Sequence, residues 1–199
     1  SPPNDVLFRM GAMYSSALTR QEYWRLIAAG FLHANMMHLA FNMFCLALWG
    51  SHLERRVGSF YLIVIYLVSL ISGSIVGNFA HHGPYLSVGA SGATSGIMGA
   101  LLCLAILGRI GLAADFFIVN IGLNIALAFT APNIDWGAHL GGFAAGIVAC
   151  ALLDLFEKTI GLALRCKFPE FVKVNGFLVL TGVTLLLWDN QLIRWSATA

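Results

Sequence analysis

Charged residues are scarce in this sequence. Asp, Glu, Lys and Arg together make up 10% of the 199 residues, whereas hydrophobic residues make up 59% and the mean hydropathy is +0.82. Soluble domains carry about 25% charged residues. The composition therefore excludes an ordinary soluble protein and predicts one that lies in a membrane.

Cysteine and histidine patterns that hold metals or form disulfides are also absent. The four cysteines are Cys45, Cys103, Cys150 and Cys166. Their spacing fits neither a ligand set nor a disulfide framework, so we interpret them as small hydrophobic residues. His33 and His38 are five residues apart with no acidic residue between them, which excludes the H-E-x-x-H zinc pattern. We expect neither a metal nor another cofactor.

Long apolar runs dominate the sequence. Windows of about 19 residues identify six candidate transmembrane spans. They run from Met36 to Leu53, Phe60 to Ala80, Gly89 to Gly108, Ala113 to Ala131, Ala138 to Phe156 and Gly176 to Ile193. The connections are short. The predicted fold class is therefore all-α, a polytopic transmembrane helical bundle without a soluble domain.

Basic residues are unevenly distributed between the two ends of these spans. If the spans alternate in direction, seven fall on one side: Arg55, Arg56, Arg109, Lys158, Arg165, Lys167 and Lys173. Four fall on the other: Arg9, Arg20, Arg25 and Arg194. Cytoplasmic loops carry the excess of Lys and Arg, so we predict that the first side is cytoplasmic. Ser91 and His139 then both lie near the external face.

Ser91 and His139 are residues of catalytic type at similar depth in the third and fifth spans. Small residues follow them at helical spacing: Ser95 and Gly99 after Ser91, and Gly142 and Gly146 after His139. Such faces let helix backbones approach closely, and a serine needs a neighbouring base to become a nucleophile. The nearest carboxylate, Asp135, precedes His139 by one turn, which favours a two-membered Ser–His site. Helix capping by Ser91 and generic packing of the glycines are the alternative interpretations.

Two further polar residues lie at the start of the first span. His38 and Asn42 are four residues apart, so they share one helix face. Both side chains can donate hydrogen bonds toward a common point, as an oxyanion site requires. The alternative is that they are polar contacts between helices.

Taken together, these motifs resemble those of the rhomboid family of intramembrane serine proteases. The matching segments are Trp24-Arg25, His33, His38-x-x-x-Asn42, Gly50-x-x-x-Glu54-Arg55-Arg56-x-Gly58, Gly89-Ala90-Ser91-Gly92 and Gly137-Ala138-His139-x-x-Gly142-x-x-x-Gly146. The resemblance implies that Ser91 is the nucleophile and His139 the general base. It also implies an oxyanion site of His38, Asn42 and the Ser91 amide, with supporting roles for His33, Gly89, Gly92, Gly142 and Gly146.

The resemblance also implies an organisation and partners for the chain. Residues 1–199 would form one rhomboid-like membrane domain. It would comprise an external loop region at 1–35, catalytic helices at 36–156, a cytoplasmic basic connector at 157–175 and an extra carboxy-terminal span at 176–193. The expected substrates are single-span membrane proteins in the lipid bilayer, with no nucleic acid. The expected location is a bacterial inner membrane or an organelle membrane.

The sequence departs from the family pattern in two ways. No span precedes Trp24-Arg25, so we expect a further hydrophobic helix, encoded upstream of Ser1 or donated by a partner subunit. Ser95 stands where many bacterial members have a tyrosine that stacks on the histidine. The main alternative function is a non-cleaving rhomboid-like protein that binds client helices or is a subunit of a membrane complex. A transporter is disfavoured because Glu54, Asp115 and Asp154 are near span ends.

Overall fold

The computed structural model describes residues 2–111, 113, 115–122, 134–160 and 179–188. Its elements in chain order are α1 (Asn4–Met10), β1 (Met13–Tyr14), α2 (Arg25–Ala28), a 3-10 turn (Ala29–Phe31), α3 (Met36–Cys45), a π-helical turn (Leu46–Gly50), α4 (Ser51–Val57), α5 (Ser59–Ala80), β2 (Leu86–Ser87), α6 (Ser91–Ile106), α7 (115–122), α8 (Trp136–Ile160) and α9 (Val179–Trp188). The described part is mainly helical, as the sequence predicts.

Two of the described helices are long and apolar enough to cross a membrane. They are α5, with a mean hydropathy of 2.2, and α8 over Trp136–Thr159, with a mean hydropathy of 1.7. A third span results if Arg25–Phe31 and Met36–Val57, which meet at an angle of 98°, form one bent span. The helices α6 and α9 are apolar but shorter. The chain is therefore a helical membrane protein, and the count of six spans stays a prediction.

Three parts of the predicted organisation extend beyond the described residues. The predicted span from Ala113 to Ala131 is described only in part, as is the last span, Gly176 to Ile193. Most of the predicted basic connector at 157–175 also lies outside them.

The helix α6 is the centre of the bundle and packs against both α5 and α8. Its buried residues lie on every side of the helix: Gly92, Ala93, Thr94, Gly96, Ile97, Met98, Gly99, Ala100, Leu101, Cys103 and Leu104. A helix that is apolar all round is stable only when other elements enclose it. This enclosure places the amino terminus of α6 between its neighbours at one end of the bundle.

The opposite end of the bundle carries paired charges. The Arg109 guanidinium lies 2.6 Å from the Asp154 carboxylate, and the Lys158 ammonium lies 2.7 Å from it. These contacts bring the end of α6 and the end of α8 together. Two residues that the charge count assigns to the cytoplasmic side therefore meet at the same end of the bundle.

Arg25 anchors the region that precedes α3. Its side chain is only 5% exposed, and it donates hydrogen bonds to the Phe8 carbonyl at 2.6 Å and the Ala12 carbonyl at 3.0 Å. It also forms an ion pair with Glu22, and the hydrogen bond from Arg25 holds the pKa of Glu22 below its usual range. The guanidinium lies 4.6 Å from the centre of the Phe8 ring and equally near the Trp24 ring.

Replacement of Arg25 tests this role. Arg25→Lys should lower the free energy of unfolding by about 2–4 kcal/mol, because an ammonium cannot serve two carbonyls, a carboxylate and an aromatic face at once. Thermal unfolding in detergent measures the loss. Arg20→Lys is the control, since Arg20 is exposed and its replacement should change stability by less than about 0.5 kcal/mol. Equal stability of the two variants would contradict the anchoring role.

Candidate active site

A tight turn presents Ser91 at the start of α6. Gly89 has a φ of +124°, a conformation that favours glycine, and its N–H donates to the Ala29 carbonyl at 2.9 Å. Ala90 occupies the N-cap position and Ser91 is the first helical residue. The structure therefore does not support helix capping as the role of the Ser91 side chain.

Ser91 and His139 flank a contact between the backbones of α6 and α8. A methyl group built on Gly92 would lie 3.2 Å from the Ala138 carbonyl oxygen, and one built on Gly142 would overlap the Gly92 carbonyl oxygen. Gly92 follows Ser91, and Ala138 precedes His139. On α8 the contact uses the predicted face, at Gly142 and Gly146. On α6 it uses Gly92 and Gly96, each one residue beyond the predicted positions Ser91 and Ser95.

The same close packing continues along both helices. A methyl group on Gly146 would overlap the Gly96 carbonyl oxygen, and one on Gly99 would overlap the Phe143 carbonyl oxygen. Glycine is required at these positions because any side chain would push the helices apart. Gly142 and Gly146 therefore fix the distance between the helix that carries Ser91 and the helix that carries His139.

The contribution of α5 to this site was not predicted from the sequence. A methyl group on Gly73 would lie 2.6 Å from the Ala138 carbonyl oxygen, and one on Gly77 would lie 2.6 Å from the Asp135 carboxylate. The signal was present, because these two glycines have the same four-residue spacing as Gly142 and Gly146. The backbone that carries His139 is thus enclosed by α5 and α6 together.

Asp135 caps the helix that carries His139. Its carboxylate accepts a hydrogen bond from the Ala138 N–H at 2.9 Å, and its backbone carbonyl accepts one from the His139 N–H at 3.1 Å. The carboxylate also lies 3.8 Å from the His81 ring nitrogen. Asp135 thus fixes the first turn of α8 through its carboxylate, as Asp does at many helix starts.

His38 lies beside the turn that presents Ser91. A methyl group on Gly89 would lie 2.6 Å from His38 Cε1 and 2.7 Å from His38 Nε2, so the imidazole packs directly against this glycine. The His33 ring is fully buried, and its centre lies 5.1 Å from that of His38.

Asn42 is buried one turn further along α3. Its side-chain N–H donates to the His38 carbonyl at 2.9 Å, which occupies one of its two amide hydrogens. His38 and Asn42 thus belong to one helix start, which Asn35 caps by accepting a hydrogen bond from the His38 N–H at 2.8 Å.

The Ser91 hydroxyl and the His139 ring lie at the same end of the bundle. Among the described residues, no hydrogen bond joins the Ser91 hydroxyl to the His139 ring. The centre of that ring lies 6.4 Å from the centre of the Trp136 ring. Catalytic hydrogen bonds are often long before substrate binds. The arrangement brings a hydroxyl, a base and a neighbouring imidazole donor to one end of a helical bundle.

These features define an integral membrane protein with a serine and a histidine beside a glycine-lined helix contact. The family model of the rhomboid domain matches residues 20–155. The chain is 40% identical over 160 residues to the rhomboid protease GluP of Bacillus subtilis (strain 168), which covers 78% of this chain and 31% of that protein. It is 36% identical over 216 residues to RHOMBOID-like protein 6, mitochondrial, of Arabidopsis thaliana, covering 96% of this chain and 69% of the relative. The chain belongs to the rhomboid family.

Other relatives are matched over part of their length. Rhomboid-like protease 1 of Toxoplasma gondii is 33% identical over 152 residues, which is 73% of this chain and 52% of that protein. The chain spans 31% of GluP and 50% of RHOMBOID-like protein 7 of Arabidopsis thaliana. The activities of these whole proteins therefore bear on this chain only as proposals.

Proposed function

We propose that this protein is an intramembrane serine endopeptidase that hydrolyses peptide bonds of transmembrane substrates near the external membrane face. The observation that carries the proposal is the contact of Gly92 and Gly142 with the neighbouring helix backbone, because it brings the helix turn that carries Ser91 against the turn that carries His139. The names of two relatives, in Bacillus subtilis and Toxoplasma gondii, include the word protease. The catalytic helices are those of residues 36–156.

The proposed reaction has two steps. In the first, the Ser91 oxygen attacks the scissile carbonyl while His139 takes the hydroxyl proton, and His139 then gives that proton to the leaving amine. In the second, His139 takes a proton from water while the water oxygen attacks the acyl ester. His139 then returns that proton to the Ser91 oxygen as the ester bond breaks, which frees the carboxylic acid product and restores Ser91. His38, Asn42 and the Ser91 N–H are assigned to the oxyanion that forms in each step.

The proposed site also sets a requirement on the conformation of the substrate. A peptide bond within an intact helix has its carbonyl engaged in a hydrogen bond, so the substrate must unwind where it meets Ser91. Ser91 is the first residue of α6 and follows directly after the turn at Gly89, so it lies at one end of the bundle and not halfway along it. This position favours cleavage near one membrane face of a single-span protein.

A serine-reactive phosphonate tests the proposal directly. The wild-type protein should be labelled at Ser91, whereas Ser91→Ala should take up no label because the nucleophilic oxygen is gone. Ser51→Ala, at the other end of the bundle, removes a different hydroxyl and should leave labelling unchanged. Labelling of Ser91→Ala to the wild-type extent would overturn the assignment. A folded wild-type protein that is never labelled would favour the alternative, a non-cleaving client-binding protein.

The oxyanion assignment gives a separate prediction. His38→Ala and Asn42→Ala should each slow turnover by roughly 10²–10³-fold while substrate affinity changes less, since each would remove a donor used mainly in the transition state. Steady-state kinetics on a reporter transmembrane substrate measure both quantities. Asn35→Ala is the matched control, because it removes the cap of the same helix without removing a proposed donor. It should cost about 1 kcal/mol of stability and slow turnover far less than the donor variants do. Unchanged turnover in both donor variants, with reduced stability, would make these residues structural contacts between helices.

A further inference from the structure

A cavity of about 100 Å³ lies at the end of the bundle opposite Ser91. It is bounded by the last turns of α4, the end of α6 and the loop that follows α6. Its lining residues are His52, Arg55, Arg56, Leu101, Ile110 and Gly111. A single water needs only roughly 15 Å³ of such volume. The cavity therefore has room for a group of several heavy atoms.

The described lining of this cavity is cationic, and none of its residues is acidic. Within the ranges that the structure describes, neither Arg55 nor Arg56 forms an ion pair, whereas Arg109 and Lys158 at the same end both pair with Asp154. Two adjacent guanidinium groups thus face a cavity to which no described residue contributes an anion.

The remaining lining residues limit the ligand that fits. His52 donates from Nδ1 to the Leu48 carbonyl at 2.6 Å, which fixes the orientation of the ring. Leu101 is fully buried and Ile110 nearly so, which makes one wall apolar. Guanidinium groups match the oxygen geometry of phosphate and bind it in a bidentate manner. A phosphate with an attached apolar part fits this lining.

Exposed apolar residues at the same end of the bundle as the cavity indicate where that apolar part would lie. Phe60 is 50% exposed, Ile106 76% and Leu107 41%, and all three lie at the same end of the bundle. Basic pockets between transmembrane helices on the cytoplasmic side bind anionic headgroups. We propose that Arg55 and Arg56 bind the headgroup phosphate of an anionic phospholipid, with its acyl chains against this apolar surface.

Native mass spectrometry of the full-length chain tests the proposal. The protein, delipidated in detergent, is mixed with equal amounts of phosphatidylglycerol and phosphatidylcholine, and the wild type should retain phosphatidylglycerol preferentially. The double variant Arg55→Gln/Arg56→Gln should bind that lipid about 30-fold more weakly. Each basic residue near an anionic surface contributes a factor of slightly more than about five to binding, and the two factors multiply. The matched control, Arg9→Gln/Arg20→Gln, removes two charges from the other end and should behave as the wild type.

A second pair of variants keeps both arginines. A methyl group at Gly111 would meet nothing within 4 Å, and its φ is not positive, so a small side chain fits there. Gly111→Asp places a carboxylate in the cavity, which should pair with the arginines and abolish the preference for phosphatidylglycerol. Gly111→Asn has the same shape without the charge and should preserve the preference.

The outcomes are distinct. Equal retention of phosphatidylglycerol by the wild type, by Arg55→Gln/Arg56→Gln and by Gly111→Asp would overturn the proposal. A loss of binding in the Arg9→Gln/Arg20→Gln control as large as in Arg55→Gln/Arg56→Gln would also overturn it. Excess inorganic phosphate separates the two sources of the anion. Continued retention of the lipid in its presence supports a phospholipid site. Displacement by inorganic phosphate, together with equal binding of the two lipids, would mean a site for free anions and would overturn the lipid assignment.

Discussion

Ser91→Ala is expected to reduce cleavage of a reporter transmembrane substrate to the uncatalysed level while the protein stays folded. His139→Ala should have the same effect, because the two residues would act as one unit in which loss of either removes the same step. The loss should be at least about 10⁴-fold, since removal of a nucleophile or its base costs several orders of magnitude. Gel analysis of substrate and product in vesicles measures it.

Matched controls separate chemistry from folding in this experiment. Ser51→Ala removes a hydroxyl far from the site, and His82→Ala removes an exposed imidazole in the loop before α6. Both should cleave as the wild type does. The double variant Ser91→Ala/His139→Ala should be no slower than either single variant. Cleavage at the normal rate by either single variant would remove that residue from the catalytic pair.

The second large effect is expected at the helix contact. Gly142→Leu should abolish cleavage, because even a methyl group at this position would overlap the Gly92 carbonyl oxygen. Overpacking of a tight contact costs roughly 1–3 kcal/mol or more, and a displacement of about 1 Å can slow a reaction by about 10²-fold. Cleavage rate and thermal stability, measured on the same sample, report the two consequences separately.

The same helix supplies a control for Gly142→Leu. Ala144 is exposed, so Ala144→Leu adds a comparable side chain on the outer face of α8 and should leave both measurements nearly unchanged. Leu140→Ala, which truncates a side chain that is 65% exposed, should also be mild. Full activity in Gly142→Leu would show that this face of α8 does not set the position of His139.

The regular helices could be predicted well from the sequence. The apolar run from Phe60 to Ala80 matches α5 to within one residue, because an uninterrupted hydrophobic segment has one stable conformation in lipid. The face of α8 at Gly142 and Gly146 was also predicted, because small residues at helical spacing permit a close contact. On α6 the predicted face was Ser91, Ser95 and Gly99, whereas the contact is made by Gly92, Gly96 and Gly99.

The less regular parts required the structure. The bend between Phe31 and Met36 and the π-helical turn at Leu46–Gly50 have no periodic signal in the sequence. The role of Arg25 depends on Phe8 and Ala12, which are 17 and 13 residues away along the chain. Contacts of this kind are set by tertiary packing, which local patterns do not encode. The catalytic roles of Ser91, His139, His38 and Asn42 remain predictions for the experiments above.

The glycine-lined contact between α6 and α8 also bears on when the site can exist during synthesis. Residue 91 leaves the ribosome before residues 136–160, and the contact joins main chains that must both be helical first. If Ser91 is the nucleophile and His139 its base, a nascent chain that has inserted α6 but not α8 cannot cleave neighbouring helices. The order of insertion would then serve the purpose that a removable propeptide serves in secreted proteases.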